Sequence, residues 1–142
     1  EGANFVIKRT YVADITNYTP SVALSVFREL LTAEQGAYWT FLLRSRGVTL
    51  VGASPERHVG LAGEVALMNP ISGTYRYPPG GPTLQGVTEF LADRKEAEEL
   101  YMVVDEELKM MCRFCAPGTV RVLGPHLKEM ARVAHTEYFI EG

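Results

Sequence analysis

VGASPERHVGLAGEVALMNPISGTYRY, residues 51–77, contains two short apolar runs that each break into a polar loop. The first loop covers residues 52–57 and the second covers residues 69–74. A carboxylate directly after a proline-fixed turn, as at Glu56, and a Gly-Thr turn, as at Gly73-Thr74, are typical of strands that present polar groups to a small ligand. We therefore expect the rest of the chain to support these two loops.

The composition is that of an ordinary globular domain, with 142 residues, 46% hydrophobic residues and a net charge of −3. This charge gives no electrostatic footprint for a nucleic-acid partner. No apolar run is long enough to cross a bilayer, so no membrane partner is expected, and no signal peptide is visible. Two cysteines indicate no disulfide scaffold, so the expected location is a reducing cytoplasm.

Before the central stretch, the local patterns predict a strand and then a helix. Residues 4–12 mix aromatic, β-branched and charged side chains, which favours a strand. Thr19-Pro20 is a helix start, and apolar residues at helical spacing extend that helix over residues 20–34. Gly36 is available for a left-handed C-cap.

Two hairpins are predicted in and around the central stretch, because short β-rich runs flank polar turns there. We expect these four strands to form a meander over residues 37–70. Their predicted bounds are 37–43 with 48–51 and 57–61 with 64–68.

The second half of the chain is predicted to be mainly helical after a surface loop at residues 78–82, PPGGP. A short helix is indicated around residues 87–91, and Asp93 and Glu96 have the spacing of a capping box that starts a longer one. One apolar stripe follows that helix: Leu100, Val104, Leu108, Met111 and Cys115. A strand is expected at residues 119–123, and residues 128–140 fit neither period. The predicted class is α+β, with antiparallel strands in a meander and packed helices.

Glu96 and Glu99 lie three residues apart on the longer helix, so both carboxylates project from the same face. Two carboxylates one turn apart suit a hard cation such as magnesium, which takes oxygen ligands. The alternative is a solvated acidic face in which Lys95 pairs with Glu99 at the i,i+4 spacing. Spacing alone favours that alternative.

The two loops also carry candidate functional groups. Glu56 could act as a general acid or base if burial or a neighbour moved its pKa, and the alternative is an exposed turn glutamate beside Arg57. Gly73 and Thr74 offer backbone N–H groups and a hydroxyl to a carboxylate ligand, against the alternative of a plain hairpin end.

Cys112 and Cys115 form a Cys-x-x-Cys pair that we assign to packing. The pair falls at the C-terminal end of a predicted helix, where the helix dipole does not favour a thiolate. A zinc site would need two more ligands, and the chain has no second cysteine pair.

Three motifs in this order resemble the chorismate-utilising enzymes: GASPE at 52–56, PISGT at 70–74 and DRKEAEEL at 93–100. That family includes anthranilate synthase component I, aminodeoxychorismate synthase, isochorismate synthase and salicylate synthase, and the likeness covers essentially the whole chain. Longer runs resemble its phenazine-biosynthesis branch, the 2-amino-2-deoxyisochorismate (ADIC) synthases: MNPISGTYRYPPGG, ADRKEAEELYMVVDEELKMM and HTEYFIEG. The resemblance implies that residues 1–142 are an internal part of a chorismate-binding catalytic domain, incomplete at the C-terminus and also at the N-terminus.

The resemblance implies a role for each candidate group. Glu56 matches the general acid that protonates the departing C4 hydroxyl of chorismate. Gly73 and Thr74 match the turn that holds a substrate carboxylate. Glu96 and Glu99 match the glutamates of a Lys-Glu-x-x-Glu-His pattern that binds Mg²⁺, with Glu99 the stronger candidate.

Two further substrate-binding residues follow from the same resemblance. Asn4 falls near the position where the water-using enzymes carry a lysine base, and a neutral amide there fits ammonia as the nucleophile. His135 is the first histidine of the family's His-x-x-His strand. Tyr138 replaces the second histidine, which is associated with pyruvate elimination, and Leu100 replaces the histidine of Glu-His.

The implied function is amination of chorismate at C2 with loss of the C4 hydroxyl, giving ADIC in phenazine or related secondary metabolism. Ammonia would come from a glutamine amidotransferase domain or subunit that is not in this chain, and the complete enzyme is expected to form a homodimer. The alternatives are an anthranilate synthase component I, which also eliminates pyruvate, and a non-catalytic ligand-binding module.

Overall fold

A computed structural model describes Phe5 and residues 7–142 of the chain. Helices and antiparallel strands occur in separate runs in this part, as the α+β prediction requires. The elements are α1 (Pro20–Ala33), β1 (Trp39–Ser45), β2 (Val48–Ser54), β3 (Gly60–Ala62), β4 (Val65–Met68), β5 (Ile71–Arg76), α2 (Leu84–Ala92), α3 (Arg94–Phe114), β6 (Arg121–Glu129) and β7 (Val133–Glu141).

Helix α1 begins and ends within one residue of its predicted bounds. Thr19 has the extended backbone of an N-cap residue and Pro20 is the first helical position, although the Thr19 side chain caps no backbone N–H group. The Thr19 hydroxyl instead lies 2.7 Å from the Ser21 hydroxyl oxygen. Gly36 has the expected positive φ of 90° but follows the C-cap residue Glu34 by two positions.

Both predicted hairpins are present. In the first, Ser45 pairs with Val48 across a two-residue turn, and both turn residues have positive φ, 50° at Arg46 and 81° at Gly47. Two left-handed residues match the twist of the flanking strands, which is why a polar residue followed by glycine closes such turns. The second hairpin pairs β3 with β4.

The predicted meander over residues 37–70 is wrong, because the two hairpins belong to different sheets. Strands β1 and β2 form a two-stranded sheet, and β3 and β4 join a five-stranded sheet. The centre of that sheet is β7, which pairs antiparallel with β4, β5 and β6. The loop at Pro55 separates β2 from β3, and β4 gains apolar burial by pairing Met68 with Ile140 of β7.

The second predicted loop, residues 69–74, is also corrected, because most of it is strand β5. Ser72 pairs with Thr136 and Tyr75 pairs with Ala134, so one more residue is accommodated on β5 than on β7 between these pairs. Gly73, with a φ of 64°, lies within this irregularity. The Gly-Thr turn is therefore a bulge inside a strand rather than a hairpin end.

The strand predicted at residues 4–12 is not formed in its described part. Asn4 and Val6 lie outside the described residues, and residues 7–12 belong to no strand. Tyr11 is 91% exposed. Among the described residues no neighbouring strand pairs with residues 7–12, so no ladder of backbone hydrogen bonds makes them a strand.

Helix α3 covers one face of the five-stranded sheet and makes the core with it. Asp93 is its N-cap, accepting hydrogen bonds at Oδ1 from the N–H groups of Lys95 (2.8 Å) and Glu96 (3.3 Å). The predicted apolar stripe is confirmed, with Leu100, Val104 and Met111 buried and Leu108 and Cys115 packed beside them. The sheet contributes Ala66, Met68 and Ile140.

The last third of the chain resolves the ambiguous segment as strand. Strand β6 runs from Arg121 to Glu129, and residues 133–141 form β7. Among the described residues, no helix is both long and apolar enough to span a bilayer.

Candidate active site

The bulge in β5 brings a histidine of β7 to the Gly-Thr turn. Nδ1 of His135 lies 2.7 Å from the carbonyl oxygen of Gly73. A carbonyl oxygen only accepts, so Nδ1 of His135 is the donor of this hydrogen bond. The hydroxyl of Thr74, which is exposed, lies 3.4 Å from the same Nδ1. Gly73, Thr74 and His135 therefore form one polar cluster.

Gly73 also touches the start of α3 and the end of α2. A Cβ atom at this position would lie 2.7 Å from Oε2 of Glu96 and 3.0 Å from the ring of Phe90. The absence of a side chain thus lets a carboxylate approach the backbone of the turn. This contact places the first of the two predicted metal-binding glutamates beside the predicted carboxylate-binding turn.

Lys95 bridges the two predicted metal-binding carboxylates. Its ammonium lies 3.0 Å from Oε1 of Glu96 and 3.5 Å from Oε2 of Glu99. The hydrogen bond to Glu96 and the charges of both glutamates raise the pKa of Lys95. The Lys95–Glu99 pair that the alternative interpretation predicted is therefore present, and a positive charge is held where a cation would be bound.

Glu96 and Glu99 fit Mg²⁺ as two of its ligands. Mg²⁺ commonly keeps several waters and binds through one or two carboxylates plus groups of the substrate. Within residues 7–142 no group of three or more histidine, cysteine, aspartate or glutamate side chains is arranged to hold a metal.

Glu56 is half-buried in the loop after β2, next to the Ser54 hydroxyl. Ser54 Oγ accepts from the N–H of Glu56 at 3.3 Å and donates to the carbonyl of the same residue at 3.1 Å. Burial raises the pKa of the Glu56 carboxyl, and a hydrogen bond with the Ile71 backbone and the nearby His58 and His135 partly oppose this. Glu56 therefore faces the polar cluster, and its pKa moves in the direction that a general acid needs.

Glu107 is a site-facing residue that the sequence analysis missed. It is only 8% exposed, and its Oε2 atom is buried without a hydrogen-bond partner in the described part of the chain. Burial first, and then the negative charge of Glu56, raise the pKa of Glu107 to about 7. The signal was available, because position 107 continues the apolar stripe three residues after Val104 and four before Met111.

The structure also shows where the two positions that depart from the family pattern lie. Leu100, which replaces a histidine, is buried in the core under the sheet. Tyr138 lines a small pocket with Glu96 and Thr136, and its ring centroid is 6.4 Å from that of Tyr101. Asn4 lies outside the described residues, so its predicted contact with substrate stays a prediction.

This geometry defines an α+β domain in which a half-buried carboxyl, a histidine and two carboxylates one helical turn apart lie around one bulged strand. The chain belongs to the chorismate binding enzyme family, and the match to that family covers residues 9–142.

Curated relatives match the whole chain. It is 67% identical over 142 residues to "Anthranilate synthase, phenazine specific" of Pseudomonas chlororaphis and 66% identical to the protein of the same name from Pseudomonas fluorescens, in each case over 100% of this chain and 22% of the relative. An anthranilate synthase of Azospirillum brasilense is 40% identical over 121 residues, which are 83% of this chain and 16% of the relative. The chain thus spans about a fifth of the length of the first two relatives.

Solved structures confirm the fold. A 2,3-dihydroxybenzoate-specific isochorismate synthase of Bacillus anthracis matches with a TM-score of 0.75 and 23% identity, over 89% of this chain and 34% of that one. The menaquinone-specific isochorismate synthase MenF of Escherichia coli matches with a TM-score of 0.54 and 23% identity, over 66% of this chain and 22% of that one. The α+β, chorismate-binding fold expected from the sequence is confirmed.

Proposed function

We propose that the complete gene product aminates chorismate at C2 and releases the C4 hydroxyl, giving 2-amino-2-deoxyisochorismate. The observation that carries the proposal is the bulged turn of β5, where Gly73 is held between His135 on one side and Glu96 on the other. The two relatives at 67% and 66% identity are named phenazine-specific anthranilate synthases, which supports an aminating rather than a hydrating reaction.

Glu56 is the general acid of this proposal. The C4–O bond of chorismate breaks as Glu56 delivers a proton to the hydroxyl, so the leaving group is water. Ammonia forms the new bond at C2 while the two ring double bonds shift, and the ammonium proton then restores the acid form of Glu56. A carboxyl whose pKa is raised by burial holds its proton closer to neutral pH than an exposed one does.

Gly73, Thr74 and His135 are the substrate-binding groups. The exposed Thr74 hydroxyl and the backbone of the bulge can donate to a carboxylate of chorismate. His135 is fixed by its bond to the Gly73 carbonyl, so its ring cannot turn without losing that bond. These groups orient the substrate relative to Glu56.

Glu96 and Glu99 would hold Mg²⁺ in the complete enzyme. Magnesium, when bound, supplies positive charge that neutralises the ring carboxylate of chorismate during the displacement. Lys95 would have to leave the two carboxylates for this, and its side chain, 76% exposed, is free to swing into solvent.

The nucleophile and its source belong to the same proposal. Ammonia would be delivered by a glutamine amidotransferase domain or subunit, and a neutral Asn4 near the nucleophile would fit a molecule that needs no base. A cytoplasmic location and a homodimer of the complete enzyme stay predictions.

The product assay tests the proposal. The complete gene product is incubated with chorismate, Mg²⁺ and ammonium ion at pH 8, and the products are separated and identified by mass. We expect an amine product that retains the enolpyruvyl group. Anthranilate with free pyruvate as the main product would contradict the proposal and support an anthranilate synthase instead. That second candidate is favoured by the relatives' names, and Tyr138 in place of a histidine argues against it.

A substitution at the acid separates catalysis from ligand binding. Glu56→Gln should lower kcat by about 10²–10⁴-fold, because the amide cannot protonate the leaving hydroxyl. Binding of chorismate, measured by calorimetry, should be nearly unchanged. Glu64→Gln, in the exposed turn between β3 and β4, is the matched control and should retain activity. Binding without any turnover by the wild-type protein would support the non-catalytic module.

A further inference from the structure

Asn69 is a fully buried amide that holds the loop carrying Glu56. Its exposed fraction is 0%, and it follows directly after β4. Oδ1 of Asn69 accepts from the backbone N–H of Arg57 at 2.7 Å, and the backbone N–H of Asn69 donates to the Arg57 carbonyl at 3.4 Å. Both backbone groups of the residue next to Glu56 are therefore bound to one asparagine.

The other end of the same amide is fixed on β7. Nδ2 of Asn69 donates to Oε2 of Glu137 at 3.3 Å, and Glu137 is itself only 6% exposed. Glu137 lies two residues after His135 on β7, so both side chains leave the same face of that strand. The amide thus joins the loop of the acid to the strand of the substrate-binding histidine.

Two cations, Arg57 and Lys128, lie over the ring of Tyr38 near the buried Glu137. The Arg57 guanidinium lies 4.3 Å and the Lys128 ammonium 3.8 Å from the centre of the Tyr38 ring. Glu137 interacts with Lys128 strongly enough to oppose the effect of burial, which lowers the pKa of Lys128. The carboxyl oxygen of Glu137 accepts from the Asn69 amide within this buried cluster.

We propose that Asn69 is a positioning residue for the general acid, tying the Glu56 loop to β7 through Glu137. The proposal rests on the proposed function, because it assumes that Glu56 is the acid. Asn69 does not need to touch the substrate. A displacement of about 1 Å at a reacting group can cost about 10²-fold in rate, so a single buried amide at the loop can control catalysis.

Asn69→Ala in the complete gene product is the first test. It leaves the N–H of Arg57 without its partner, so the loop loosens, and kcat for amination should fall at least tenfold. The KM for chorismate should change less than twofold, because Gly73 and Thr74 are untouched. A merely structural role would lower the yield of folded enzyme without this split between kcat and KM.

The pH dependence of kcat is a second measurement, and a loss of stability alone should not change it. The charged and titratable groups around Glu56 are His58, His135 and, from α3, Glu107. If loosening exposes Glu56 to water, its pKa falls, and the alkaline limb of the kcat profile should shift to lower pH in Asn69→Ala. Ile140→Val, a fully buried core position, should lose stability without shifting that limb.

A second pair of variants keeps the test decisive if Asn69→Ala does not fold. Glu137→Gln retains an oxygen that accepts from Nδ2 of Asn69, and its kcat should stay within threefold of wild type. Glu137→Leu removes that acceptor and should lose at least tenfold in kcat.

The outcomes distinguish a failure of the Asn69 proposal from a failure of the proposed function, in which Glu56 is the general acid. Suppose first that Glu56→Gln is inactive, as the proposed function requires. The role of Asn69 alone would then be overturned if Asn69→Ala kept the wild-type kcat and pH profile, or if the two Glu137 variants had equal kcat. Full activity in Glu56→Gln would overturn the assignment of the acid, and with it the reason for positioning it.

Discussion

Glu107 carries the largest electrostatic consequence of any single carboxyl in the described chain. Its pKa rises from 4.5 to about 7 because the side chain is buried on the sheet side of α3 near Glu56. The folded state therefore binds this proton more tightly than the unfolded state, and the contribution of Glu107 to stability falls as pH rises from about 4.5 to about 7. Above that range the fold carries a charged, unpaired oxygen.

Glu107→Gln removes that charge. The substitution should raise the stability of the complete gene product by about 1–3 kcal/mol at pH 8, because a neutral amide avoids the cost of a buried charge near Glu56, and by less at pH 5, where Glu107 is largely protonated. Thermal unfolding of both proteins at the two pH values measures the difference. Glu106→Gln, the exposed neighbour on α3, should change the melting temperature little at either pH. Equal effects of Glu107→Gln at pH 5 and pH 8 would contradict the assigned titration.

Gly73→Ala tests the approach of Glu96 to the bulge. The added Cβ would lie 2.7 Å from Oε2 of Glu96, and the positive φ adds about 1–2 kcal/mol of strain. We expect at least a tenfold loss of kcat/KM for chorismate. Gly63→Ala is a matched control, since Gly63 has a φ of 62° and open space around its Cβ position. If Gly63→Ala lost as much activity as Gly73→Ala, backbone strain and not the contact with Glu96 would be the cause.

At the scale of elements, the N-terminus of α3 positions two of the candidate metal ligands. Asp93 caps this helix about one turn before Glu96 and nearly two turns before Glu99. Glu96 lies in the first turn of α3 and is held against Gly73 there. If this turn frayed, the Glu96 side chain would no longer be held in that position. The cap at Asp93 and the proposed Mg²⁺ site would therefore depend on the same turn of α3.

Asp93→Ala should fray this turn. The loss of the cap costs about 1 kcal/mol, and the Mg²⁺ concentration needed for half-maximal activity should rise severalfold. Thr83→Ala is the matched control, because the Thr83 hydroxyl accepts from the N–H of Gly86 and caps α2 in the same way. That variant should lose similar stability without a change in Mg²⁺ dependence. If the Mg²⁺ concentration for half-maximal activity rose equally in both variants, the proposed dependence of Mg²⁺ binding on the α3 cap would be contradicted.

At the scale of the whole molecule, the described residues expose much apolar surface. Leu61 is 78% exposed and Leu43 is 58% exposed. Large exposed apolar patches mark surfaces that other protein covers. Since the chain spans 22% of the first two relatives, we expect these patches to be covered in the complete gene product.

Trp39 reports on that coverage, because it is the only tryptophan of the chain and is 60% exposed. Residues 1–142 expressed alone should bind the dye ANS and elute with a broad, aggregated profile. Tryptophan emission should be red-shifted, near that of a solvated indole. The same segment as a sharp monomer without dye binding would contradict a covered surface. A complete gene product in which Trp39 is changed to Phe identifies the signal of this residue by difference.

Local chemistry explains how much of the fold was predictable. The three helices, both hairpins and the cap at Asp93 depend on residues within a few positions of one another, so periodicity and turn residues were sufficient. The spacing of Glu96 and Glu99 likewise placed both carboxylates on one face. The motif resemblance then indicated the family, the roles of Glu56, Gly73, Thr74 and His135, and the magnesium proposal.

Only the tertiary structure decided which strands pair with one another in the five-stranded sheet. The chain folds back so that β7 becomes the central strand, which divides the predicted meander and turns the second loop into the bulged strand β5. Pairing between strands far apart in sequence leaves no local pattern, because it depends on which edges meet and which surfaces become buried. Burial is also what raises the pKa values of Glu56 and Glu107 and makes Asn69 a connector between Arg57 and Glu137. The sequence alone determined the groups, and the packing of the sheet determined which of them meet.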